Sequence, residues 1–243
     1  MTAPVFFVSD LDGLSRAERF EFTGPDAKHV MVKRIEKGER LDLVDGRGTR
    51  ARARLVEASS SLVIVQIDEV VFEPEGSPRI TLIQALAKNG RDELAIEMAT
   101  ELGVDRVIAW QAERSIVRWQ GKKQEKGLQK WVNVLQAAAK QSRRARVPAL
   151  EFAANAAAAI AQVEGTQLIV MHESATEPIT GLTDLGAKEY ALVVGPEGGI
   201  TDAELEQFKQ AGANIVLVGD IVMRVSTAVA AGLTSLNIAT GRI

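Results

Sequence analysis

From residue 80 onward, short apolar runs alternate with amphipathic stretches, and that alternation restricts the fold more than any other feature of the chain. Apolar runs fall at 80–85, 104–110, 168–171, 190–194 and 215–218. Helical periodicity falls at 91–102, 122–141, 155–163 and 202–211, with a final helix from about Thr227. Strands that are apolar on both faces need helices over both faces, so the pattern predicts an α/β domain with a mostly parallel sheet. Ligands of such sheets sit at the carboxyl ends of the strands, which singles out the loops after Val194 and Val218.

The first 72 residues read differently. Period-2 runs at 5–8, 40–44, 49–57 and 62–71, with Asp45-Gly46-Arg47-Gly48 as a hairpin turn, predict an all-β domain. Phe72-Glu-Pro-Glu-Gly-Ser-Pro78 then breaks the pattern with two prolines and a glycine in a polar stretch. The expected domains are therefore 1–72 and 79–243, which suits 243 residues. With 46% hydrophobic and 25% charged residues, disordered and fibrous readings drop out. The absence of cysteine rules out disulfides and thiolate chemistry, and two histidines leave no expectation of a metal. The N-terminus lacks the pattern of a signal peptide and no apolar run approaches the ~20 residues of a membrane span, so a soluble, cytoplasmic protein is expected.

The net charge of −3 hides an asymmetry. Between Arg106 and Arg146 eleven basic residues stand against Glu113 and Glu125, a surplus of nine that leaves −12 for the rest. That span suits a polyanion such as nucleic acid, or it is a solvated helix face. A smaller cluster, Arg47, Arg50, Arg52 and Arg54, places three arginines on one face of a strand and suggests a second basic surface.

Three segments carry potential chemistry. In the first, a strand ends at Gly195 and Gly195-Pro-Glu-Gly-Gly199 follows; Thr201 and Glu204 then have capping-box spacing, flanked by Ile200 and Leu205 as a hydrophobic staple. Such a turn brings backbone N–H groups close to a ligand or simply turns the chain. In the second, Val216-Leu-Val-Gly-Asp-Ile-Val-Met-Arg-Val-Ser-Thr-Ala228, Ser226 or Thr227 is a candidate cap. Arg224, alone among apolar neighbours, is either an ion-pair partner or a group that steadies negative charge. In the third, Leu94, Met98 and Leu102 form an expected buried stripe beside an acidic row, Glu93, Glu97 and Glu101, with Gly103 as C-cap. His29 and His172 have no triad or metal pattern around them.

Taken together, Gly195-Pro-Glu-Gly-Gly199, Met223-Arg-Val-Ser-Thr-Ala228, Glu101-Leu-Gly-Val104, Arg114-Ser115, Gln141-Ser-Arg-Arg-Ala-Arg-Val-Pro148, His29-Val-Met-Val-Lys-Arg34 and Asp45-Gly46 resemble the bacterial 16S rRNA (uracil-N3)-methyltransferases. These belong to the SPOUT, or trefoil-knot, superfamily, and the resemblance runs along nearly the whole chain. It implies a PUA-like β-barrel RNA-binding domain at 1–72 and a SPOUT α/β methyltransferase domain with a C-terminal knot at 79–243. The implied activity is S-adenosylmethionine-dependent methylation of N3 of a uridine in 16S rRNA of the small ribosomal subunit, by a homodimer joined through the C-terminal domain. By the same resemblance Arg224 is the catalytic arginine, and the cofactor site comprises Met171, His172, Val194, Gly195, Gly199, Val218, Gly219, Met223, Ser226 and Ala228. RNA would be held by His29, Lys33, Arg34, Arg114, Arg143, Arg144 and Arg146.

The chain departs from the family pattern at three places. The family reads Arg-x-Glu-Thr-Ala where Ser226 replaces the glutamate here, Lys140 stands where a glutamate is common, and Met98 where a lysine is common. Ser226 motivates an alternative, a non-catalytic rRNA-binding or ribosome-assembly factor of the same fold; another SPOUT enzyme with a different RNA target is a third reading. The proton acceptor at N3 is His172, Glu197 or solvent.

Overall fold

The computed structural model describes residues 3–59, 61–182 and 186–243. The chain divides into two compact units, residues 1–75 with 139–147, and residues 76–138 with 148–243.

The first unit contains β1 (Val5–Phe7), β2 (Arg19–Phe22), α1 (Pro25–Val32), β3 (Arg40–Val44), β4 (Thr49–Ala58) and β5 (Val63–Phe72). Its five strands are ordered β1-β3-β4-β5-β2, antiparallel except for the β1–β3 pair. Alternation along β4 sends Ala51, Ala53 and Leu55 into a core with Phe6, Leu41, Leu43, Val63 and Val65. The hairpin turn forms as its sequence requires: Asp45 Oδ1 accepts the backbone N–H groups of Arg47 (2.7 Å) and Thr49 (3.0 Å). Burial works against the charge of Asp45, but these bonds and those of the Thr49 and Arg47 side chains outweigh it and hold its pKa below the usual carboxylate value.

Two features of this unit differ from the sequence reading. It is not all-β, because α1 occupies eight residues with Pro25 in its first turn. Two helical turns bury only Ala27 and Val30, too short a stripe to register as periodicity. The segment 139–147, which carries Lys140 and three of the arginines, packs with this unit: Gly48 N–H donates to Ala145 O and Val147 N–H to Gly46 O.

The second unit contains β6 (Arg79–Ala85), α2 (Arg91–Glu101), β7 (Arg106–Trp110), most of α3 (Lys122–Gln141), β8 (Ala149–Ala153), α4 (Ala156–Ala161), β9 (Gln167–Met171), β10 (Glu177–Pro178), β11 (Glu189–Val194), α5 (Asp202–Gln210), β12 (Asn214–Leu217) and α6 (Val225–Ala239). Its seven strands are parallel throughout, in the order β10-β12-β9-β11-β6-β7-β8. After β9 the chain inserts β11 between β6 and β9, crosses through α5 to β12 on the other side of β9, and returns in α6 to pack on α2. This path makes β12, β9 and β11 neighbours, so the loops that leave them share one edge of the sheet.

The stripe of α2 is also displaced from expectation. The buried face is Asp92, Ala95, Ile96, Ala99 and Thr100, while Leu94 is 43% exposed and Met98 and Leu102 are half-buried. Alanines at 95 and 99 put small side chains on the face that packs inward, and the bulkier row is left on its flank. Of the acidic row, Glu93 pairs with Lys130, whose pKa it raises, and Glu97 and Glu101 face solvent. Gly103 follows the last turn of α2 with φ +88°, as a C-terminal glycine should.

Candidate active site

A cavity of about 650 Å³ opens where the loops after β9, β11 and β12 meet the first turn of α6. Met171, Val194, Ile200, Val216, Val218, Val225 and Ala228 give it apolar walls, and His172, Glu173, Glu197, Asp220 and Arg224 supply polar groups.

The turn after β11 is held from both sides. Glu197 Oε1 accepts the N–H of Lys88 at 3.2 Å, and Arg114 Nη1 donates to Gly198 O at 3.2 Å. Behind it the Thr201 hydroxyl accepts the N–H of Glu204, the Glu204 carboxylate accepts the N–H of Thr201, and Glu204 Oε1 also takes the N–H of Glu113 at 2.8 Å. The capping box thus ties α5 to the loop after β7 as well as starting the helix. Gly195 is required by close approach, since a Cβ there would lie 2.7 Å from Ile200 Cγ1. Gly219, at φ +71°, faces open space, which leaves backbone free at the cavity wall.

Arg224 is exposed on the cavity and has no ion-pair partner among the described residues, which removes the buried-pair reading left open by the sequence. It is itself the N-cap residue of α6, so the helix begins before Ser226 and Thr227 and neither caps it. Ser226 is buried and, unlike the other nine expected cofactor residues, does not line the cavity. At the second position of α6 its side chain is turned into packing. His172 Nδ1 accepts the N–H of Ser174 at 3.2 Å and contacts Ser174 Oγ at 2.8 Å.

Lys88, Arg91, Glu173 and Asp220 also line the cavity and were not singled out by the sequence. Lys88 and Arg91 follow β6, the strand beside β11, so applying the strand-end rule to every neighbouring strand would have found them. Asp92, next in sequence, accepts the N–H of Ala87, and burial raises its pKa.

The expected RNA-binding residues differ in exposure. Lys33, Arg34, Arg114 and Arg143 are exposed, whereas His29 lies edge-on to Phe6 and Arg146 donates to Glu73 O at 2.8 Å. The arginine row of β4 is not a basic surface at all. Arg50 pairs with Asp42 (3.2 Å) and Glu73 (2.5 Å), Arg52 with Glu69, and Arg54 with Asp68. Burial opposes the charge of Arg50, yet Glu73 and Asp42 hold its pKa above the ordinary value. Lys140 likewise contacts Asp26.

Comparison with known proteins accords with this geometry. The RNA methyltransferase domain family matches residues 74–237, and the RNA methyltransferase PUA domain matches 22–68. Ribosomal RNA small subunit methyltransferase E of Mycobacterium tuberculosis is 38% identical over 248 residues, covering 100% of this chain and 94% of its own. The Bacillus subtilis protein of the same name is 26% identical over 235 residues, covering 92% and 91%. A solved structure of ribosomal RNA small subunit methyltransferase E from Neisseria gonorrhoeae, bound to S-adenosyl methionine, superposes with a TM-score of 0.85 at 27% identity, covering 98% of each chain. A putative methyltransferase from Legionella pneumophila, in complex with the bound cofactor SAM, has the same TM-score at 26% identity and the same coverage. Fold and cavity therefore define the class, a SPOUT-type RNA methyltransferase with a PUA-like unit. Within that class the chain belongs to the ribosomal RNA small subunit methyltransferase E family.

Proposed function

We propose that this protein methylates N3 of a uridine in 16S rRNA, with S-adenosylmethionine as donor and Arg224 as the catalytic arginine. The observation that carries the reading is Arg224, without an ion-pair partner among the described residues, on a cavity of ligand size, in a chain whose relatives over full length are small-subunit rRNA methyltransferases. The residues fit the cofactor: apolar walls suit an adenine ring, and the free backbone at Gly219 leaves room for close approach. Met171, His172, Val194, Gly195, Gly199, Val218, Gly219, Met223 and Ala228 would hold it. When bound, it supplies an electrophilic methyl group on a sulfonium.

The chain's own residues prepare the nucleophile. Uracil N3 becomes one when its proton leaves, and negative charge then spreads onto O2 and O4. Arg224 steadies that charge. The proton goes to Glu197, because its Oε1 is held by Lys88 N–H and its other oxygen remains available. His172 already uses Nδ1 as an acceptor. N3 lies on the pairing edge, so the base must be unpaired or flipped.

Residues 1–72, with 139–147 packed on them, act as the RNA-binding domain, and the rest of 79–243 acts as the methyltransferase domain with the C-terminal knot. His29, Lys33, Arg34, Arg114, Arg143, Arg144 and Arg146 contact RNA. A homodimer forms through the C-terminal domain, whose Leu94, Ile221, Val222 and Ile238 are exposed apolar side chains. The protein works in the cytoplasm, where small subunits are assembled. Because Ser226 is turned into packing, its departure from the family pattern gives no reason to expect lost catalysis.

The test is incubation with labelled S-adenosylmethionine and small ribosomal subunits, followed by nucleoside analysis. Label in 3-methyluridine is the expected result; label in another nucleoside, or none, overturns the assignment.

A further inference from the structure

We infer that Phe72, backed by Arg146, is a stacking platform for an unpaired RNA base on the first unit. Resting on the reading of this chain as an RNA methyltransferase, it adds a base-binding site to the unit that grips RNA.

Four observations carry it. Phe72 is 68% exposed, and it is the one aromatic ring among the large exposed hydrophobic side chains of the described residues. Exposing a ring costs solvation, and at the last position of β5, paired with Thr49, nothing in the sheet requires one. The guanidinium carbon of Arg146 sits 4.9 Å from the ring centroid, so one face of the ring is taken by a cation and the other remains open. Arg146 is fixed in that pose: its Nε donates to Glu73 O at 2.8 Å, and a Cβ on Gly48 would lie 2.5 Å from its Nη2.

Charge points to the occupant. Arg50, Arg52 and Arg54 of the same unit all have carboxylate partners, but Arg146 and the exposed Arg143 have none among the described residues. The acid next to the ring, Glu73, is engaged by Arg50. An open aromatic face backed by a guanidinium without a carboxylate partner among the described residues suits a π-system carried on an anionic backbone, which describes an unstacked nucleotide. A protein surface would be expected to bring carboxylates or an apolar counter-face instead.

The full-length protein tests this with small-subunit rRNA transcript as the probe. Phe72→Ala and Phe72→Leu should weaken RNA binding roughly 5- to 100-fold, leave the slope of affinity against salt unchanged because no charge is removed, and leave S-adenosylmethionine binding intact. Phe72→Trp should retain affinity. Its new exposed indole, unlike the buried Trp110, Trp119 and Trp131, should be quenched as RNA is added.

Thermal melts of Phe72→Ala close to wild type show that the fold is preserved. Wild-type RNA affinity in both the Ala and Leu variants overturns the proposal while leaving the methyltransferase reading in place. So does a loss confined to self-association on sedimentation, which would assign the ring to a protein contact. Failure of the wild-type protein to bind or methylate the rRNA overturns the methyltransferase reading itself.

Discussion

The arginines of β4 and the arginine at the start of α6 look equally functional in the sequence, and the fold treats them in opposite ways. Arg50, Arg52 and Arg54 lie along a strand flanked by β3 and β5: Glu69 stands directly opposite Arg52, and Asp42 and Asp68 stand two positions from the residues opposite Arg50 and Arg54, so each meets a carboxylate. Arg224 leaves β12 into a loop without such a partner among the described residues and lies on the cavity. Charge whose field is locally cancelled serves structure; charge left uncancelled beside a cavity is available to a ligand.

The sharpest way to break that contrast is Arg224→Ala. Methyl transfer should fall about 10²- to 10³-fold in single-turnover assays. Stability should change by less than about 0.5 kcal/mol in melts, and cofactor affinity should be kept. A comparable loss of stability would place Arg224 with the structural arginines.

Arg50→Ala should do the reverse. It leaves the largely buried Asp42 only its pair with the exposed Arg40 and should cost about 2 kcal/mol in denaturant unfolding, with the chemical step intact. Smaller is the effect of Asp45→Asn, about 1 kcal/mol at neutral pH. Because the folded-state pKa of Asp45 is lowered, its contribution is present above the unfolded carboxylate value and fades as pH falls through the folded one. Melts of wild type and variant should therefore converge in acid. Smallest is Arg54→Ala: its pair with Asp68 is solvent-exposed, so stability should move by less than about 0.5 kcal/mol and RNA affinity little if the pair cancels its charge.

Much of the second unit was legible because each local signal agreed with the next. The five apolar runs became β6, β7, β9, β11 and β12, and α3 spans the residues its periodicity marked. The Thr201–Glu204 box formed as its spacing requires. What escaped was short or weakly patterned: α1 and β10 offer too few residues for a period to show, and β2 (Arg19–Phe22) and β8 (Ala149–Ala153) break their apolar residues with a glutamate. The stripe of α2 was misplaced for a different reason. Leu94 and Met98 are the more hydrophobic row, but close packing favoured the alanine row.

Sequence alone determined the strand-to-helix turn at 195–201, the loop that carries Arg224 and the family to which these motifs belong, because each is written in neighbouring residues whose backbone preferences and spacing act locally. Only the tertiary structure decided which cations are cancelled, that Ser226 is turned away from the cavity while Lys88 and Arg91 line it, and that 139–147 joins the first unit. Those outcomes depend on which distant strands become neighbours, and Coulomb and packing forces act on distance in space rather than separation along the chain.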